Sequence, residues 1–320
     1  MKTMKALTIV AAALCFATAV YANNYPTQPV KVIVPYTKGS ATDVLARMLS
    51  EKLSAMWKQP VVVENVAGAG GSTGAARVAK APANGYTLLV HSSSYSVNQA
   101  TYAHLPYSMK DFFDVAPIAQ QPYTLVASPS AGVKSVSALI AAAKAKPGQM
   151  KFGSAGTGSS THLVAERFNR AAGIDVVHVP FKGGPEANKA TATGEVSYWF
   201  PPTAIAIKGV KAGKLVALGV TGSARSSLLP NVPTIAEAAI PGFDFNVWWG
   251  VWAPAGTPAK IKDKLVQDVA RALASPDLRE KLSSKGFEPM RMTPAEFSQL
   301  VQREVEASAQ TLKQAGIKPK

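Results

Sequence analysis

The chain has 320 residues, 47% of them apolar and 17% charged, the balance of a soluble globular protein rather than of a disordered or coiled-coil chain. At about 100–200 residues per domain, it is long enough for two cores. Lys and Arg number 34 against 19 Asp and Glu, a formal net charge of +15, and a single cysteine excludes a disulfide framework.

The first segment is a leader. Lys2 and Lys5 precede an apolar run over residues 6–20, and Val20-Tyr21-Ala22 offers smallish residues where a signal peptidase reads. This pattern predicts a secretory signal over residues 1–22, cleaved after Ala22. The run is short for a membrane anchor, which needs roughly 20 apolar residues. Leu14 before Cys15 is wrong for lipoprotein processing. Cleavage removes Cys15, Lys2 and Lys5 and no acid, so the mature charge is +13. An exported basic protein rarely meets nucleic acid, and small anionic solutes are the better match.

Beyond the leader, strand, loop and amphipathic helix recur. Residues 31–34 read as a buried strand, and Ser40 or Thr42 caps a helix with Val44, Leu45, Met48, Leu49, Leu53 and Met56 on one face. Residues 61–63 form the next strand, a glycine-rich link over 68–74 leads to a short helix, and residues 86–90 form a third strand. Residues 114–126, extended and punctuated by proline, are expected to cross between two lobes. The rhythm then repeats: helix over 136–144, stopped by Lys146-Pro147-Gly148, strand over 150–153, polar loop over 154–161, helix over 162–170 and strand over 176–179. Further strands are expected at 195–200 and 215–220, a second crossing at 245–252, and helices over 258–274 and 294–315 that return to the first lobe. This alternation predicts an α/β fold of two lobes, each a mostly parallel sheet flanked by helices, with a cleft between them. The expected division is 23–124 with 246–320 for lobe 1 and 125–245 for lobe 2. With no coiled-coil seam, a monomer is expected.

Two loops carry the chemistry. The first, Pro35-Tyr36-Thr37-Lys38-Gly39-Ser40-Ala41-Thr42-Asp43, joins a strand to a helix start, where unpaired amides and the helix dipole favour an anion. Lys38 adds a cation, and Ser40 and Thr42 add hydroxyls. The second, Gly153-Ser154-Ala155-Gly156-Thr157-Gly158-Ser159-Ser160-Thr161-His162, repeats the device, and two such loops facing each other suit the two ends of a dicarboxylate. Gly70-Gly71-Ser72-Thr73-Gly74 matches a nucleophile-elbow string, but residues 64–69 separate it from the strand that an elbow requires. His162 beside Ser159 and Ser160 is the remaining hydrolase candidate; capping or lining the loop is the plainer role for that imidazole. The four histidines lack metal-type spacing, so no metal or other cofactor is expected. Tyr198-Trp199-Phe200-Pro201-Pro202 and Trp248-Trp249 are aromatic clusters in which one or two rings are candidates to face a ligand.

These pieces resemble the tripartite tricarboxylate transporter substrate-binding family, the Bug receptors. The resemblance rests on Val34-Pro35-Tyr36, Thr42-Asp43-Val44-Leu45-Ala46-Arg47, Gln59-Pro60-Val61-Val62-Val63-Glu64-Asn65 and Gly85-Tyr86-Thr87-Leu88-Leu89. Ser154-Ala155-Gly156 with Ser160 and His162, His178-Val179-Pro180-Phe181-Lys182-Gly183, Leu229-Pro230-Asn231-Val232-Pro233-Thr234 and Ala253-Pro254-Ala255-Gly256-Thr257-Pro258 continue it in order. It implies a periplasmic binding protein of type II-like architecture that closes on a small carboxylate and passes it to a membrane permease, with a ligand sensor for a membrane signalling protein as the alternative. By position it implies ligand contacts from Tyr36, Lys38, Gly39, Ser40, Ala41, Thr42 and Asp43, and from Ser154, Gly156, Thr157, Ser159, Ser160, Thr161 and His162. The loop Ser92 to Ser94, Phe181-Lys182-Gly183 and Phe200 would border the site. Two departures stand out. The family's Pro-Pro-Gly-Gly-Gly before Thr-Asp is Thr37-Lys38-Gly39-Ser40-Ala41 here, a narrower loop with a cation. Its Phe-Asp-Asn is Phe200-Pro201-Pro202, which removes the acid that would meet an amino group. Both suit a flatter, more apolar ligand, such as the aromatic diacid terephthalate, with aliphatic dicarboxylates and citrate-like acids as the alternatives.

Overall fold

A computed structural model describes residues 25–314 and residue 319; the expected leader and its cleavage point lie outside them. Among the described residues no helix is long and apolar enough to cross a membrane. The chain opens with β1 (Val30–Val34), α1 (Ala41–Trp57), β2 (Val61–Asn65), α2 (Ser72–Ala79), β3 (Thr87–Ser92), α3 (Ser94–Thr101) and the long β4 (Phe112–Pro122). It continues through β5 (Thr124–Ala127), α4 (Val136–Ala145), β6 (Lys151–Ser154), α5 (Ser160–Ala172), β7 (Val177–Pro180), α6 (Gly184–Thr193), β8 (Tyr198–Trp199), α7 (Thr203–Lys211), β9 (Val216–Val220) and α8 (Ile235–Ala238). It returns through β10 (Asn246–Pro254) and closes with α9 (Ala259–Ala274), α10 (Pro276–Ser283), β11 (Glu288–Pro289) and α11 (Pro294–Gln314).

Two sheets result, ordered β11-β4-β10-β3-β1-β2 and β7-β6-β8-β5-β9. The expectation of mostly parallel sheets needs correction, because both are mixed. β1 is parallel to β2 and β3, but β10 is antiparallel to β3 and β4. In the second sheet β6 is parallel to β7 and β8, and β5 is antiparallel to β8 and β9. The reversed strands lie next to the crossings. A chain that leaves a sheet along β4 and comes back beside it along β10 must reverse direction. The crossings themselves are tied together. Tyr123 N–H donates to Thr221 Oγ1 (2.9 Å), Thr221 N–H to the Tyr123 carbonyl (2.9 Å) and Phe245 N–H to the Thr221 carbonyl (3.0 Å). The expected strand over 195–200 shrinks to β8, and α3, α6, α7 and α10 are helices that apolar periodicity did not reveal.

The first lobe is closed off by α11, whose Phe297 and Val301 are buried against Trp248 and Trp252 of β10. The Phe297 ring meets Trp248 at 5.6 Å and Trp252 at 5.3 Å between centroids. This packing needs Gly250, which sits at a register shift between β10 and β4. A Cβ there would lie 2.2 Å from the Phe297 ring. Gly250→Ala therefore overpacks the core and should cost about 1–3 kcal/mol, read as a melting temperature several degrees lower.

The lobes also touch at the mouth of the cleft. Tyr102 OH donates to the Thr157 carbonyl (2.8 Å), and Thr37 Oγ1 donates to Glu186 Oε2 (3.0 Å). Gly183, extended at φ −176°, lets the second contact form: a Cβ there would stand 2.3 Å from Thr37 Oγ1. Such bonds exist only when the lobes are together, and each contributes about 1 kcal/mol, or about fivefold in the closed–open equilibrium. Tyr102→Phe and Gly183→Ala should each enlarge the radius of gyration in X-ray scattering. Unchanged radii in both would mean that these contacts do not hold the lobes shut.

Candidate functional site

The first loop is built on Asp43. Its carboxylate accepts from Gly39 N–H (2.9 Å), Asn65 Nδ2 (2.9 Å) and Arg47 Nε (3.0 Å). Burial pushes this carboxyl up, but the bonds from Arg47, Gly39 and Asn65 outweigh burial and hold it below the usual carboxylate range. The turn at Gly39 has φ +85°, and Ser40 Oγ accepts the Asp43 amide (3.2 Å) to cap α1. That cap leaves the Ala41 and Thr42 amides without intrahelical acceptors.

The second loop is held from behind by two imidazoles. Ser154 Oγ lies 2.6 Å from His178 Nε2 and accepts the Gly156 amide (3.1 Å). His162 Nδ1 accepts the Gly158 amide (3.5 Å), its ring stacks on His178 at 4.0 Å, and Glu166 lies 3.5 Å from its Nε2. Ser159 Oγ caps α5 by accepting the His162 amide (3.2 Å). The first amide of that helix, Ser160 N–H, is taken by a side chain from the other lobe, Ser94 Oγ (2.8 Å), and Ser94 Oγ in turn donates to Ser160 Oγ (3.2 Å).

Between the two helix starts lies a small cavity, with about 40 Å³ open to the centre of a water molecule. Tyr36, Ser40, Ala41, Thr42 and Ser92 line it from the first lobe, and Ser159, Ser160 and Thr161 from the second. These eight are residues expected at the site. Ser94 of the loop after β3, and Trp199, Pro202 and Trp249 of the two aromatic clusters, also line it, whereas Ala155, Gly184, Ile205 and Val247 were not expected as wall residues. No charged side chain lines this cavity among the described residues. Tyr36 stays protonated, because burial pushes its phenol up to about 12, and it donates to the Gly70 carbonyl (3.1 Å).

The remaining expected residues are elsewhere. Lys38 and Gly39 are exposed and outside the lining, as the cost of burying an unpaired ammonium dictates. Asp43, Ser154 and His162 are buried behind the loops, where they brace them. Gly156, Thr157 and Lys182 line a second, open pocket of about 560 Å³ at the cleft mouth. Phe200 packs on Phe168 (5.4 Å) within the core, because side chains alternate along the strand and Trp199 takes the cleft face. The His162 imidazole bonds neither the Ser159 nor the Ser160 hydroxyl, so it activates no nucleophile. Ser72 opens α2 after a 3₁₀ turn (Ala69–Gly71) and not after a strand, so the elbow string makes no elbow. Among the described residues no cluster of three His, Cys, Asp or Glu is arranged to hold a metal.

Comparisons with known proteins agree with this geometry. Residues 45–317 match the tripartite tricarboxylate transporter family receptor. The chain is 36% identical over 307 residues to the protein BugT of Bordetella pertussis, covering 95% of this chain and 94% of that one. Among solved structures it resembles Rpa4515 of R. palustris with adipate (TM-score 0.89, 34% identity, 92% and 100% of the two chains covered). MatC of Rhodopseudomonas palustris with bound malate is similar too (TM-score 0.85, 32% identity, 90% and 100% covered). This chain belongs to the tripartite tricarboxylate transporter receptor family, whose solved relatives include the periplasmic binding protein BugD.

Proposed function

We propose that this receptor captures an aromatic dicarboxylate of the terephthalate type. The observation that carries this reading is the cavity itself. Hydroxyls and helix-start amides stand at both lobes, no charged side chain lines the wall among the described residues, and Trp199, Trp249, Ala41, Pro202 and Ile205 supply apolar surface between. Two donor-rich ends suit two carboxylates, and helix starts stabilise anions without a cationic side chain. The apolar middle suits a flat body, since a binding cavity gains most of its energy from such surface. Adipate and malate on the relatives support the carboxylate class. An amino-acid ligand has no counter-charge for its ammonium in this lining.

In this reading the leader directs export and is removed after Ala22, and the mature monomer works in the periplasm. Residues 23–124 with 246–320 form one lobe and 125–245 the other. Closure on the ligand presents the receptor to permease subunits in the membrane.

The mature protein, screened by thermal shift and tryptophan fluorescence, should be stabilised most by terephthalate, among phthalate isomers, adipate, malate, citrate and acidic amino acids. Binding adds RT ln(1 + [L]/Kd), about 2.7 kcal/mol at one hundred times Kd. A response to aliphatic acids alone would refute the aromatic ligand and leave the receptor reading intact. No response to any acid would refute the carboxylate class.

A further inference from the structure

We propose that Trp249 is a positioning residue for ligand selection: its indole N–H fixes the direction in which the Thr42 hydroxyl points. Trp249 Nε1 lies 3.0 Å from Thr42 Oγ1, with Trp249 1% and Thr42 3% exposed. Both residues line the cavity. An indole nitrogen only donates, whereas a hydroxyl has one hydrogen and two lone pairs. Thr42 therefore accepts from Trp249, and its own hydrogen must go elsewhere. The Thr42 hydroxyl makes no other hydrogen bond within the described chain, so that hydrogen is left for the cavity.

The same accounting fixes other hydroxyls of the wall. Ser40 Oγ accepts the Asp43 amide (3.2 Å), and Thr161 Oγ1 accepts the Ala155 amide (2.9 Å). Ser160 Oγ accepts from Ser94 (3.2 Å). Each of these oxygens has a lone pair committed to a donor. The hydrogens of Tyr36, Ser92 and Ser94 are spent within the chain on Gly70, Ser94 and Ser160, and Ser159 and Thr161 share one between them, whereas Ser40 and Thr42 keep theirs for the cavity. An ionised carboxylate, which only accepts, matches the hydrogen that Thr42 presents. A carboxamide brings N–H groups that face donors, and a buried donor left without an acceptor loses its full hydration. Thr42 is held by a side chain of a distant strand, so Trp249 sets the polarity of the first-lobe wall at that point. This inference rests on the carboxylate reading and adds the device that enforces it in an uncharged cavity.

The test compares terephthalate and adipate with their monoamides by calorimetry, on the mature protein and on Trp249→Phe, Thr42→Val and Thr42→Ser. Trp249→Phe keeps an aromatic ring and frees the Thr42 hydroxyl to turn a lone pair toward the ligand. The carboxylate-to-amide preference should fall about tenfold in Trp249→Phe and in Thr42→Val, and should be retained in Thr42→Ser. A purely structural role would weaken acid and amide alike and leave their ratio fixed; an unchanged ratio in Trp249→Phe overturns the proposal. A second readout needs no ligand. In ¹⁵N-labelled protein, the Trp249 indole proton should shift and exchange faster in Thr42→Val but not in Thr42→Ser. If none of these acids binds the parent protein, the carboxylate reading fails, and the indole signal alone decides whether Trp249 holds Thr42; an indole unaffected by Thr42→Val refutes it.

Discussion

A helix cannot bury its first amides without acceptors, and in this protein one such acceptor comes from the opposite lobe. Ser94 Oγ takes the Ser160 amide at 2.8 Å, so the start of α5 is completed only when the lobes meet. The other inter-lobe features follow from that approach. Gly70 has φ +62°, and a Cβ on it would stand 2.3 Å from the Thr157 carbonyl, so the two loops touch backbone to backbone. The polar chain from Tyr36 through Ser92 and Ser94 to Ser160 then runs across the interface as one hydrogen-bonded row. Affinity and closure are thereby coupled, because the groups that form the cavity wall are also those that join the lobes.

Much of this was legible in the sequence, for local reasons. Val30–Val34 is apolar except for the exposed Lys31 and lies next to a Ser–Asp cap, and both signals are written within a few residues. The second loop was equally visible, because Ser159 before Ser160-Thr161-His162 is a capping pattern with glycines beside it. What escaped depends on distant partners. The antiparallel placement of β10 is decided by a chain returning from the other lobe. The helix α3, Ser94–Thr101, is mostly polar along its length, yet nearly all of it is buried against α11 and the second loop, so its periodicity gave no warning.

The site was misread by single residues rather than by regions. Lys38 and Phe200 belong to the right loop and the right strand, but their neighbours Ser40 and Trp199 face the cleft. Along a strand, moving by one position exchanges faces, and in a tight turn the φ +85° of Gly39 does the same. Sequence places such residues near a site more readily than it orients them. Trp249 shows the converse case: it was one of a pair, and its bond to Thr42 spans the whole first sheet's connectivity.

The separation of charge from cavity has a kinetic consequence. The chain carries a net charge of +15, yet no charged side chain lines the cavity among the described residues. Long-range attraction of an anion is a property of the exposed lysines and arginines, and it is screened within about 8–10 Å at physiological salt. Retention belongs to short hydrogen bonds inside a closed cleft, which ions in solution do not reach. Raising the ionic strength thus slows capture while leaving residence time nearly untouched, and arrival and departure of the solute answer to different parts of the molecule.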